Sequence, residues 1–332
     1  MPVPDAPSSE SLPDFVIGGA MKCATSSLHH LLRQHEQVHL PDGETHFFCV
    51  DDPVQHSDFF FPARAASERA PDYERDFAHN LEWYRAFFDS AAPDQQIGDY
   101  STTYLPAPDA PERISTLLPD AKLIFMLRDP VARTYSHYWH RVKTGRAVHS
   151  FEHELQHGPS TLLLRGFYKP QLKRYLRHFS RDQMKVVLFE EFVADTQTVV
   201  DEVCAFLGLT STVNVAEANA HQNRSPVPRW PGLQRVFNYW ATGVEGRGDR
   251  SLPYAQKPQS PYVLQGLVYH LRQLNLTTRR ETPPMRDATR KCLAQIFARK
   301  NRGLGDLLDV DPAKHWPCLR EAAKPLPDAP TS

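Results

Sequence analysis

The chain has 332 residues, 41% hydrophobic and 23% charged, a composition that supports a packed globular core. Its formal net charge is −1, so the overall balance gives no pull toward nucleic acid or an anionic membrane, and any anion site has to be built locally. Five scattered cysteines without C-x-x-C spacing argue against a disulfide framework and a zinc site, and no run approaches the roughly 18–20 apolar residues of a membrane span.

The first 13 residues are polar and proline-rich, without the basic and apolar regions of a secretory signal. The expectation is a cytoplasmic protein with one domain over residues 14–318 and flexible ends at 1–13 and 322–332. Phe15-Val16-Ile17 is a β-prone run ending in Gly18-Gly19, and a helix fits from about Ala24 to Gln34, with Leu28, Leu31 and Leu32 at helical spacing. Strand, glycine turn and helix in that order aim free backbone N–H groups at an anion. The stretch Phe47 to Tyr84 is aromatic and irregular, and is expected to line a pocket together with the loops around Tyr100–Tyr104.

A second unit follows. Residues 122–127 (KLIFML) form a buried-type strand, Asp129 suits a helix N-cap and Pro130 the first helical position. A helical pattern from Tyr168 to Phe179 leads into a third strand at 185–189. Strands alternating with helices predict an α/β fold with a largely parallel sheet. Residues 223–284 are rich in Pro, Arg and aromatics, with helical patches near 233–240 and 263–274, and a last amphipathic helix is expected over 285–301.

Three stretches carry chemistry. Lys22 with Thr25, Ser26 and Ser27 at a helix start can wrap phosphate oxygens and neutralise a group in transfer; an ordinary turn with a Thr-Ser-Ser start is the plainer alternative. Arg128 ends a strand, where α/β sheets place ligands. Beyond it Arg133, Ser136 and His140 share a helical face by i, i+3, i+7 spacing, which makes either a second anion site or a solvated surface. Glu44 and His46, two apart in an extended segment beside Phe47 and Phe48, share one face and can supply a general base, or else close a polar strand end. Two anion-competent strand ends on one sheet suggest a ligand with two separate phosphates.

The order Lys22-Cys-Ala-Thr-Ser-Ser-Leu28, Glu44-Thr-His-Phe-Phe48, Gly98-Asp-Tyr-Ser-Thr-Thr-Tyr-Leu105 and Arg128-Asp-Pro-x-x-Arg-x-x-Ser136 resembles the sulfotransferases that use 3′-phosphoadenosine 5′-phosphosulfate (PAPS). The likeness is to the branch with heparan sulfate N- and 3-O-sulfotransferases and bacterial relatives, and runs from about residue 14 to 316. It implies a P-loop-like three-layer fold with a central, mostly parallel sheet flanked by helices. It also implies transfer of the sulfuryl group from PAPS to a hydroxyl or amine of a small-molecule, lipid or carbohydrate acceptor, with release of PAP and no metal. By the same resemblance Lys22, Ala24, Thr25, Ser26 and Ser27 form the 5′-phosphosulfate loop, Arg128 and Ser136 hold the 3′-phosphate, Glu44 is the base and His46 assists it. Tyr168 is placed as a ring near the adenine, and Arg224 and Arg229 either in a basic stretch that closes over the nucleotide or in a proline-broken basic surface loop.

Several positions depart from the family pattern. Ala24 stands where the loop has glycine, and is expected at φ < 0. Gly43 replaces a lysine, Cys49 an acid, and Asp99, Tyr100 and Thr102 stand in an E-K-S-P stretch. These last positions are expected to face the acceptor. The competing readings are a P-loop kinase or NTPase, which lacks its G-K-[ST] here, and a silent nucleotide-binding adaptor.

Overall fold

In the computed structural model the described residues are 12–56, 72–75, 77–218, 226–242, 271, 273–278, 281–308 and 310–322. Five parallel strands form the centre: β1 (Phe15–Gly19), β2 (Val38–His39), β3 (Gln96–Tyr100), β4 (Lys122–Leu127) and β5 (Met184–Leu188), in spatial order β2-β3-β1-β4-β5. β1 and β4 are apolar runs buried almost end to end, the pattern of parallel strands covered on both faces. Helices flank the sheet: α1 (Thr25–Leu32), α2 (Phe77–Arg85), α3 (Pro130–Lys143), α4 (Tyr168–Tyr175), α5 (Thr196–Leu207), α6 (Pro231–Thr242) and α7 (Asp287–Lys300). α5 packs against α1, and α7 against α3 and α4. This is the expected three-layer, P-loop-like α/β fold.

The connectivity fixes where a ligand can sit. From β1 the chain runs out to β2 and returns to β3 on one side, then crosses to β4 and β5 on the other, so strand order reverses at β1. Ile17 lies opposite both Tyr100 and Ile124, which brings the C-terminal ends of β1, β3 and β4 to one rim. Gly98 lets β3 approach closely: a Cβ there would stand 2.3 Å from the Phe15 ring.

The predicted boundaries at β1, β4, β5 and α1 hold to within a few residues. Asp129 caps α3, accepting from the Val131 N–H at 2.9 Å, with Pro130 as its first residue. β2 and β3 were not anticipated as strands. The described part of the aromatic stretch is core: Phe47 stacks on Tyr84 at 4.1 Å, Phe48 meets Tyr104 edge-on at 5.4 Å, and Phe47, Phe48, Tyr73 and Tyr84 are all buried. With almost no ring surface exposed, these four rings belong to the core rather than to a pocket wall. The patch expected at 263–274 falls mostly outside the described residues. The expected flexible ends also lie outside them, apart from their inner edges.

Candidate active site

The first component is the turn from β1 into α1. Lys22 sits at φ 71° and Ala24 at φ 66°, ψ 18°, both left-handed. The expectation of φ < 0 at Ala24 is therefore wrong. The turn keeps the geometry a glycine would give and tolerates the Cβ at a cost of about 1 kcal/mol. None of the N–H groups of residues 21–26 meets an acceptor among the described residues, whereas Ser27 and Leu28 already donate back to the Ala24 carbonyl. A row of converging, unsatisfied donors at the start of a helix is an anion cradle. Thr25 is buried, Ser27 partly so, and Ser26 is exposed with its hydroxyl 2.9 Å from the Tyr100 phenol.

The second component is the segment of Glu44 and His46, clamped by the end of β3. Thr45 donates its N–H to the Tyr100 carbonyl (3.2 Å), and the His46 N–H donates to Ser101 Oγ (2.8 Å). One Glu44 oxygen, Oε2, accepts from both the N–H (2.8 Å) and the hydroxyl (2.9 Å) of Thr102. His46 Nδ1 lies 3.1 Å from Thr103 Oγ1 and 3.8 Å from the same Glu44 oxygen. The two side chains do meet, but not through extended backbone: His46 is left-handed at φ 56°. Beneath them the Thr45 hydroxyl donates to Asp99, which also accepts from Tyr84 and Tyr104, and burial pushes the Asp99 carboxyl up in pKa.

Four departures from the family pattern are thereby placed. Tyr100, Thr102, Asp99 and Cys49, expected at the acceptor, are all buried. Tyr100 bonds the donor loop and stacks on His29 at 4.5 Å, and Cys49 contacts His56 and Thr103. Thr102 supplies an N–H where the family pattern has a proline, which has none. Ser101, Thr102 and Thr103 were not predicted as site residues, though three hydroxyl residues directly after a strand were there to be read.

The third component follows β4. The Arg128 guanidinium lies over the Phe189 ring at 4.2 Å and reaches the Lys22 carbonyl at 3.4 Å, tying the two strand ends together. Ser136 and His140 are half-buried on α3 as expected, but Arg133 is not with them. It is fully buried and donates to the Leu162 carbonyl and Thr134 Oγ1. Helical spacing sets the angle around the axis, and the Leu162 turn covers the axis at Arg133. Tyr168 is also fully buried, near Trp316 at 5.7 Å, and offers no exposed ring face to a base. Its hydroxyl instead donates to the Arg128 carbonyl at 2.9 Å. Arg224 lies outside the described residues, and Arg229 is exposed beside Trp230 at the short β6–β7 pair (Val227–Pro228 with Leu276–Thr277).

Cations crowd the donor side of this rim. Burial, then Lys143 and Arg128, pull the Lys22 ammonium below its usual pKa. Burial and the neighbouring Lys22, Lys143, Arg146 and Arg165 hold His140 down to about 3, and His137 falls well below its ordinary value for like reasons. A site in which cations depress each other is one that gains from binding an anion. Asp129, the acid that a P-loop NTPase would need for magnesium, is occupied as the α3 cap.

Fold and rim together define an α/β protein with two cationic strand ends on the rim that also carries the held Glu44 carboxylate. The chain belongs to the sulfotransferase family, whose model matches residues 13–212. It is 29% identical over 231 residues to mouse (Mus musculus) bifunctional heparan sulfate N-deacetylase/N-sulfotransferase 4, covering 63% of this chain and 24% of that protein. It is 30% identical over 224 residues to mouse heparan sulfate glucosamine 3-O-sulfotransferase 3B1, covering 62% and 51%. The chain thus spans between a quarter and a half of the length of these curated relatives. A crystal structure of a sulfotransferase from Alicyclobacillus acidocaldarius superposes with a TM-score of 0.58 at 28% identity, over 91% of this chain and 98% of that one.

Proposed function

We propose that the chain transfers the sulfuryl group of PAPS to a hydroxyl or amine of a small-molecule, lipid or carbohydrate acceptor and releases PAP. The observation that carries this reading is the convergence of three parts on one rim: the Lys22 loop with its undirected N–H groups, Arg128 beside it, and Glu44 held by Thr102. In this reading Lys22, Ala24, Thr25, Ser26 and Ser27 hold the 5′-phosphosulfate, and Arg128 with Ser136 the 3′-phosphate. Glu44 takes the acceptor proton as the new bond to sulfur forms. The bond from sulfur to the 5′-phosphate oxygen breaks with its electron pair left on that oxygen, where Lys22 meets the charge. Such loose, in-line transfer is governed by positioning and electrostatics, and the resident cations supply both.

Five free cysteines, four of them buried, suit a reducing, cytoplasmic setting, and no described helix is long and apolar enough to cross a membrane. The test is transfer of ³⁵S from labelled PAPS into host metabolite extracts, with mass spectrometry of the labelled product. One labelled product, lost in Glu44→Gln, is the expected result. Magnesium-dependent ATP turnover with none from PAPS would overturn the reading.

A further inference from the structure

The Arg165 guanidinium has no place in the scheme so far, yet its surroundings are unusual. It stands directly after the short helix Thr161–Leu164, and the residue is only 6% exposed. Nε donates to Gln55 Oε1 at 2.9 Å and Nη1 contacts the thioether of Met21, the residue before Lys22. Among the described residues no carboxylate lies within ion-pair distance of it. Arg133 and Arg141 are like charges nearby, and Glu44 is the leading group of opposite sign. Burial lowers its pKa to about 10, so it stays charged at neutral pH.

A buried guanidinium braced only by an amide and a thioether is costly unless an anion completes it. Among the described residues Arg133 likewise has no acid in ion-pair distance, but its unpartnered Nε and Nη1 are sealed inside the protein. The Nη2 of Arg165 differs: it makes no hydrogen bond among the described residues and is not sealed off. Position decides which anion it meets. Arg165 touches the donor loop at Met21, the residue before Lys22, and Glu44 is the leading opposite charge acting on it, so it links the loop to the surroundings of the proton acceptor. In the sulfotransferase reading the transferred group passes between those two.

We propose that Arg165 is a further catalytic residue, its guanidinium holding the non-bridging oxygens of the sulfuryl group as it passes from donor to acceptor. This rests on the sulfotransferase reading. Arg165 keeps its proton throughout; the bonds made and broken, and the transfer of the acceptor proton to Glu44, are those given above. A planar fork suits two oxygens of a trigonal sulfuryl group better than a point charge does.

PAP lacks the sulfuryl group, and this makes the proposal testable. Calorimetric titration of the full chain with PAPS and with PAP, combined with steady-state kinetics, is run on Arg165→Gln and on the milder Arg165→Lys. The expected result is a PAPS affinity at least ten-fold weaker, an unchanged PAP affinity and a kcat lower by about 10²-fold for Arg165→Gln. Arg165→Lys should fall between. Equal loss of both ligands, or a raised acceptor KM at unchanged kcat, would overturn the proposal in favour of a structural or an acceptor-binding residue. If the unmodified chain binds neither nucleotide, the sulfotransferase reading itself fails, a result distinct from any effect of Arg165.

Discussion

Thr102 grips Glu44 twice, its N–H at 2.8 Å and its hydroxyl at 2.9 Å from the same carboxylate oxygen. Hydrogen bonds to a charged acceptor contribute roughly 1.5–3 kcal/mol each, and here they also fix the direction in which the other oxygen points. Thr102→Ala keeps one of the pair and should lower kcat about ten-fold. Thr102→Pro removes both and should lower it further, although it restores the residue type of the family pattern. Both effects are read from kcat at saturating donor, with circular dichroism to confirm the fold.

The legibility of this region was uneven for physical reasons. β4 and the cap of α3 were readable because an uninterrupted apolar run, an N-capping Asp and a first-turn Pro are local signals. β3 was not, because Gly98 and Asp99 break its apolar pattern. Asp99 is tolerated at 0% exposure only because hydroxyls from Thr45, Tyr84 and Tyr104 converge on it, and those lie far apart in the chain. Glu44 and His46 were found by residue type, but the backbone turn that joins them was not. Arg165 carries no signal of its own in the sequence, since an unpaired charge is a property of its surroundings rather than of its neighbours in the chain.

Ala24 occupies left-handed backbone in the loop where glycine carries no penalty. Ala24→Gly should relieve about 1 kcal/mol of local strain. Offsetting this is the extra freedom glycine brings to the unfolded chain, of similar size. The net expectation is a melting temperature within about two degrees of the parent, with PAP affinity kept. Ala24→Val adds a β-branch at φ 66° and should weaken PAP at least ten-fold. Thermal melts and PAP titrations on the two variants test the pair.

Burial holds four histidines, His29, His56, His137 and His140, below their ordinary pKa. The folded state therefore binds fewer protons than the unfolded chain from about pH 6.5 down to the lowered folded pKa values. Stability from these groups is complete above that value and is lost progressively as pH falls, down to about 3 in the case of His140. Urea midpoints should fall steadily from pH 7 to pH 5. His137→Asn should flatten that fall, and an unchanged pH slope would count against the buried neutral imidazole.

The phenol of Tyr100 meets Ser26 at 2.9 Å while its ring stacks on His29. Tyr100→Phe keeps the stack and deletes only the link between β3 and the donor loop. One neutral hydrogen bond is worth about 1 kcal/mol, so the donor KM should rise roughly five-fold with kcat nearly unchanged. Loss of kcat instead would mean that Tyr100 acts on Glu44 rather than on the loop.

Arg128 offers the sharpest test of the two-phosphate site. It lies at the end of β4, braced by the Phe189 ring, and is assigned to the 3′-phosphate. Adenosine 5′-phosphate lacks that group, so the ratio of its Kd to that of PAP isolates the contribution of the 3′ end. A charge-assisted pair worth about 2 kcal/mol implies roughly a thirty-fold share of that ratio from Arg128 alone. Arg128→Ala should therefore weaken PAP by that factor and leave adenosine 5′-phosphate within two-fold, narrowing the preference without abolishing it. If both nucleotides weaken together, Arg128 acts by bracing the Lys22 carbonyl, and the 3′-phosphate must be held elsewhere on the rim.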